Sequence, residues 1–178
     1  MFSAVARNPS SAMIVIEPAI EEKFGRGSFA RGRLRKFLAA AKKEAKLAGA
    51  VSVLLTGDDQ IRELNREFRH QDKATDVLSF PAAEGGGRAR MAGDLAISVE
   101  TAAREAEARG HALGLELEIL LLHGVLHLAG YDHEADSGEM ARKEESLRRK
   151  LGLAQGLIER AAGLEGLKKG RAKRGGKP

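Results

Sequence analysis

The chain has no cysteine, no tryptophan, one tyrosine and only four prolines among 178 residues. Without cysteine there are no disulfides, no thiolate metal sites and no thiol nucleophile, a pattern that fits a reducing cytoplasm. With aromatics at 4% against 43% hydrophobic residues, the core has to be built from Leu, Ile, Val and Ala. Few aromatics also mean few platforms on which bases could stack, so any nucleic-acid selectivity should be weak or supplied by a partner. Long apolar runs are missing as well. The stretches Ala12 to Ile16 and Ile119 to Leu122 fall far short of a bilayer span, and no secretory leader is evident before Glu17. No membrane partner is expected.

The charge has a location. Lys168, Lys169, Arg171, Lys173, Arg174 and Lys177 crowd the last eleven residues, and without these six the chain carries 24 basic against 25 acidic residues. The net +5 therefore belongs to the tail, residues 166–178, whose Gly170, Gly175, Gly176 and Pro178 suit disorder. It reads equally as a solubilising end or as a loose contact to a phosphate backbone. Residues 1–165 read as a single domain of a size that can bury a core.

Periodicity places the elements. Ala12 to Glu17 reads as a strand closed by Pro18. A helix capped by Ser28 runs to about Leu47, with Leu34, Leu38, Ala41 and Ala45 on one stripe. Ala50 to Thr56 is apolar enough for a central strand. The next helix opens at Thr56 or Asp58, carries Ile61, Leu64 and Phe68, and ends at Arg69. Val77 to Phe80 and Gly93 to Val99 read as strands separated by the Gly85–Gly87 loop. Helices follow at Glu100 to Arg109, Leu115 to Ala129 and Ser137 to Leu151, with a weaker one over Leu153 to Leu167. The first two strands flank a helix and should be parallel; the last two lack one and should be antiparallel. The expected fold class is α+β, with a mixed, mostly parallel four-stranded sheet carrying one antiparallel strand, five to six helices and an apolar central helix at Leu115 to Ala129.

That helix holds the chemistry. His123-Gly-Val-Leu-His-Leu-Ala-Gly-Tyr-Asp-His133 contains three of the chain's five histidines. His123 and His127 share a helix face, Gly130 suits a helix stop, and the turn through Tyr131 and Asp132 can return His133 towards the other two. Three imidazoles can hold a divalent ion, most simply one zinc per chain, with a fourth position open to water or substrate. The plainer reading is a set of core histidines, but three buried titratable rings without a ligand would be costly. In the zinc-peptidase pattern a glutamate base follows the first histidine; here Gly124 stands in its place.

Arg69 ends its helix beside His70, Gln71, Asp72 and Lys73. It reads either as a phosphate clamp or as a solvated helix-end cation. Asp76 and Asp94 border strands and could orient a ligand imidazole or merely serve turns. Glu116, seven residues before His123, and Asp132 are similarly open. Ser79 has no His–Asp partners nearby and is not read as a nucleophile.

The histidine stretch resembles the signature of the YbeY family of bacterial endoribonucleases and rRNA maturation factors. The match extends to Leu64-Asn65 with Arg69, to Thr75-Asp-Val-Leu-Ser-Phe-Pro81 and to Gly93-Asp-Leu95, in the family's order. Ala74 stands where the family often has proline. The resemblance implies zinc on His123, His127 and His133, and a functional arginine at Arg69. It also implies cytoplasmic cleavage of single-stranded RNA, in 16S rRNA 3′-end maturation and ribosome quality control, with the ribosome or small subunit as partner. Catalytic roles are expected for Arg69 and His123; DNA is not an expected substrate. A zinc peptidase taking its base from elsewhere, or a non-catalytic ribosome-binding factor with structural zinc, are the other readings.

Overall fold

A computed structural model describes residues 12–83, 91–133 and 136–153. The Gly85–Gly87 loop, the basic tail and all but the first residue of the helix expected over Leu153 to Leu167 lie outside them.

Among the described residues there are four strands and six helices in the order β1 (Ala12–Ile16), α1 (Pro18–Phe24), α2 (Arg31–Glu44), β2 (Ala50–Thr56), α3 (Asp58–Arg69), β3 (Val77–Pro81), β4 (Met91–Ser98), α4 (Val99–Arg109), α5 (Leu113–Leu128) and α6 (Glu139–Leu151). The sheet order is β1-β2-β4-β3. β1 and β4 both pair parallel to β2, whereas β3 pairs antiparallel to β4 with Val77 opposite Ile97 and Pro81 opposite Gly93. The expected mixed sheet is therefore present. β2, buried along its whole length, has a neighbour on each side.

Among the boundaries that depart from the sequence reading, three have a clear physical cause. Pro18 opens α1 instead of merely closing β1, because a ring-fixed φ and a missing N–H cost nothing at a helix's first turn. α1 is seven residues long and buries Ile20, too short a stretch for its periodicity to stand out. α2 starts at Arg31 after Ala30, not after Ser28, whose hydroxyl donates to the Phe24 carbonyl instead. α6 starts at Glu139, not Ser137: the Asp136 carboxylate accepts from the backbone N–H groups of Gly138, Glu139 and Met140 and so caps the helix start.

Strand alternation divides the interior in two. Leu95 and Ile97 of β4 join α2 and α5 in the main core, which also takes in Val51, Val53 and Leu55 of β2. Ala96 and Leu78 turn the other way, towards Ile61 and Leu64 of α3, with Phe80 packed alongside. α5 is apolar almost all round and touches α2, α4, α6, β3 and β4. It lies close on the sheet: a Cβ added at Gly124 would stand 2.7 Å from a Leu95 methyl. At Gly93, with φ at +151°, an added Cβ would meet the Phe80 carbonyl oxygen at 2.4 Å and Leu128 at 2.7 Å.

These two glycines differ in what blocks them. At Gly93 the obstacle includes backbone in a paired strand, so Gly93→Ala should cost about 3 kcal/mol of stability through strain and overpacking. Gly124→Ala meets only a leucine side chain and gains about 1 kcal/mol of helix propensity, so its net cost should be smaller. Urea unfolding midpoints should rank wild type, Gly124→Ala, Gly93→Ala in descending order.

Candidate metal centre

α5 sets two of the three imidazoles. His123 and His127, one turn apart, stand beside Gly124 and Leu128, the residues turned to the sheet. The helix ends at Leu128 with Ala129 as its cap; Gly130 at φ +90° reverses the chain, and the Tyr131 N–H returns to the Leu126 carbonyl. That turn brings His133 back. The ring centroids lie 4.8 Å (His123 to His127), 5.4 Å (His123 to His133) and 5.3 Å (His127 to His133) apart. One nitrogen of each ring lies within 4.8 Å of the others. His123 is buried, His127 half-buried and His133 exposed, so the cluster opens to solvent on the His133 side.

The donor set suits a divalent ion. The Nε2 atoms of His123 and His127 are 3.1 Å apart. Two nitrogens at the usual zinc distance in a tetrahedral shell stand about 3.3 Å apart, so little movement separates this arrangement from a ligating one. His123 is fixed from behind: its Nδ1 donates to the Glu144 carboxylate of α6 at 3.0 Å, both side chains being buried. That bond leaves the Nε2 lone pair facing the cluster. Among the described residues the group comprises these three histidines.

Electrostatics favour the ligating form. The pKa of His127 is lowered from 6.5 to about 4, chiefly by burial, with the imidazoles of His123 and His133 adding to the effect. Asp132 opposes the shift, and the Arg69 guanidinium acts in the same direction as burial. His127 is therefore neutral at pH 7, and a metal need not displace a proton from it.

Arg69 is the last residue of α3, with His70 at φ +57° capping the helix end. Buried Asn65 folds the following loop back: its side-chain amide donates to the Lys73 carbonyl at 2.8 Å, and its own backbone carbonyl accepts from Gln71. Arg62 holds Asp72 through a two-pronged contact at 2.7 and 2.9 Å. These contacts leave Arg69 exposed at the end of the helix, lining a cavity of about 650 Å³ with Phe68, Phe80 and Asp94.

Residues 25–152 match the family described as Endoribonuclease YbeY. The chain belongs to that family. An Endoribonuclease YbeY of Koribacter versatilis is 56% identical over 127 residues, 71% of this chain and 81% of that protein. One from Solibacter usitatus is 48% identical over 130 residues, 73% of this chain and 85% of the other. The solution structure of TM1509 from Thermotoga maritima superposes with a TM-score of 0.53 at 30% identity, covering 79% of this chain and 88% of that one. The α+β fold and the family resemblance read from the sequence are both borne out.

The family's signature is thus a set of positions with separate tasks. Glu144 is the residue that sequence reasoning missed. It sits in the buried stripe of α6 with Met140 before it and Leu147 after it, and a carboxylate in an apolar stripe was the available signal. Asp76, one candidate for orienting an imidazole, instead accepts from the Val77 N–H and the Thr75 hydroxyl. Glu116 meets His111 at 2.6 Å. The position of the peptidase base, Gly124, faces Leu95 and not the imidazoles, so a side chain there would enter the sheet.

Glu144→Ala should weaken divalent-metal affinity 10- to 100-fold by freeing the His123 ring, as chelator competition would measure. Metal-free protein should also lose stability on acidification. His127 takes up its proton near pH 6.5 when unfolded but only near pH 4 when folded. The unfolded state then binds more protons across that window, and stability falls from pH 6.5 to 4. His127→Ala should flatten this part of the profile of thermal midpoint against pH.

Proposed function

We propose that the protein is a zinc-dependent endoribonuclease that cuts single-stranded RNA, acting in the cytoplasm on the 3′ end of 16S rRNA and in ribosome quality control. Endoribonuclease activity in rRNA maturation is the work of the family to which the chain belongs. Zinc, single-strand selectivity and association with the ribosome or small subunit are our extensions. One observation carries the reading: in a chain of an endoribonuclease family, three imidazoles bring one nitrogen each within 4.8 Å of the others. Phosphodiester cleavage needs such a centre to activate water and a second group to hold the charged phosphate, the part we give to Arg69.

His123, His127 and His133 would hold the metal. Zinc bound there supplies Lewis-acid polarisation and acidifies a coordinated water. Glu144 keeps His123 in the ligating tautomer, so the catalytic part of His123 is to hold the ion, both its nitrogens being committed. Burial keeps His127 unprotonated. Arg69, on the firm end of α3, binds a phosphoryl oxygen pair through its planar fork and offsets the charge that builds in the transition state. A catalytic domain over residues 1–165 and a basic tail over 166–178 that adds a loose backbone contact complete the proposal. Among the described residues no single helix is long and apolar enough to cross a membrane.

The peptidase alternative is disfavoured by the outlook of Gly124 onto the sheet. Arg69→Glu should fold, bind zinc normally and cut single-stranded RNA at least ~100-fold more slowly. His127→Ala should lose both metal and cleavage, and casein should remain intact with every variant. Undiminished cleavage by Arg69→Glu would remove Arg69 from the site.

A further inference from the structure

Phe68 is exposed at 42%, rare for a large apolar side chain in this chain, where only Val15 and Met91 share that state among the described residues. Its surroundings are specific. The Phe68 and Phe80 rings meet edge-to-face, with centroids 5.1 Å apart and planes at 70°. Together with Leu64, Pro81 and Asp94 they line the cavity that has Arg69 in its wall. The lining is mainly apolar, and the volume of about 650 Å³ is in the range of small-molecule sites. Phe68 precedes Arg69 directly, so an aromatic face and an exposed cation are presented side by side at one helix end.

We propose that this cavity is a nucleobase subsite, in which Phe68 stacks one unpaired base of the RNA while Arg69 holds the adjoining phosphate. The inference rests on the ribonuclease reading and adds to it a physical source of single-strand selectivity. A nucleotide alternates a flat apolar ring with a charged phosphate, and this end of α3 offers the complement of both. The T-shaped contact with Phe80 fixes the Phe68 ring, so little side-chain freedom is lost on stacking. A base within a duplex has both faces covered by neighbours and its edge held by its complement. It would have to unstack and unpair before entering. Stacking of this kind tolerates every base, since each has a π-face, and so gives strand selectivity without sequence selectivity.

The absence of tryptophan makes the test direct. Phe68→Trp introduces a single indole in the cavity, and Phe68→Ala removes the platform. Zinc-loaded proteins are mixed in a stopped-flow device with a single-stranded oligoribonucleotide, the same strand annealed to its complement, or a ribose-phosphate strand lacking bases. Binding is thereby read before cutting. Single-stranded RNA should quench the Phe68→Trp emission, whereas the duplex and the baseless strand should leave it unchanged. Phe68→Ala should bind single-stranded RNA about ten-fold more weakly and the baseless strand as wild type does, with zinc content and circular dichroism unaltered.

Emission that does not respond to bound single-stranded RNA, or unimpaired binding by Phe68→Ala while wild type cuts RNA, would overturn the subsite alone. So would emission already blue-shifted in the free protein and unmoved by RNA, the sign of a cavity filled by another part of the chain. Wild-type protein that neither binds nor cuts single-stranded RNA would overturn the ribonuclease reading and the subsite with it.

Discussion

The close approach of α5 to the sheet, where Gly124 meets Leu95, is the constraint on which the placement of two of the three imidazoles depends. Because nothing projects from Gly124, α5 settles closely on β4, and the side chains next to that contact are held sideways instead of against the sheet. His123 and His127 are two of them. A bulkier residue at Gly124 would lift the helix and carry both imidazoles with it. The same approach is repeated one turn later, where Leu128 rests on Gly93, so α5 is seated at two points along its axis. Two seats along one axis favour a single rotation of α5, and that rotation sets the spacing of His123 and His127.

Much of this was legible in the sequence, and the parts that were share a cause. β2, α3 and α5 are long or strongly patterned, so their burial is written in their composition. The three histidines were legible because spacing on a helix translates directly into a shared face, and Gly130 announced the turn that returns His133. What stayed hidden depended on contacts between distant segments. Glu144 looks like one more charge in a charged helix until α6 is laid against α5; only its place between Met140 and Leu147 betrays burial. Gly124 was legible as a missing base but not as a packing residue, since the face it presents depends on where the sheet lies. α1 was missed because Pro18 can end one element and begin another, and seven residues are too few for periodicity to decide.

The two halves of the site also differ in how they are held. The imidazole half is built from the main core outward, with a buried hydrogen bond behind it and an exposed ligand in front. The arginine half is held by the second, smaller core and by the loop that Asn65 and Arg62 fold back onto α3. β4 is the wall common to both, since alternate residues of this one strand serve each core. Relative placement of the three imidazoles and Arg69 is thereby a property of strand pleating rather than of any flexible connection.

The hydrogen bond between His123 and Glu144 also has a meaning in time. Chains emerge from the ribosome amino end first, and the four described strands end by Ser98, before any of the three clustered histidines has been made. The bed that receives α5 is thus synthesised ahead of the helix. His123, His127 and His133 then appear in turn, and Glu144, the group that orients the first of them, comes last. A nascent chain halted before α6 would carry three imidazoles but not the carboxylate that aims His123. Synthesis itself therefore delays a fully oriented site until nearly the whole described fold exists.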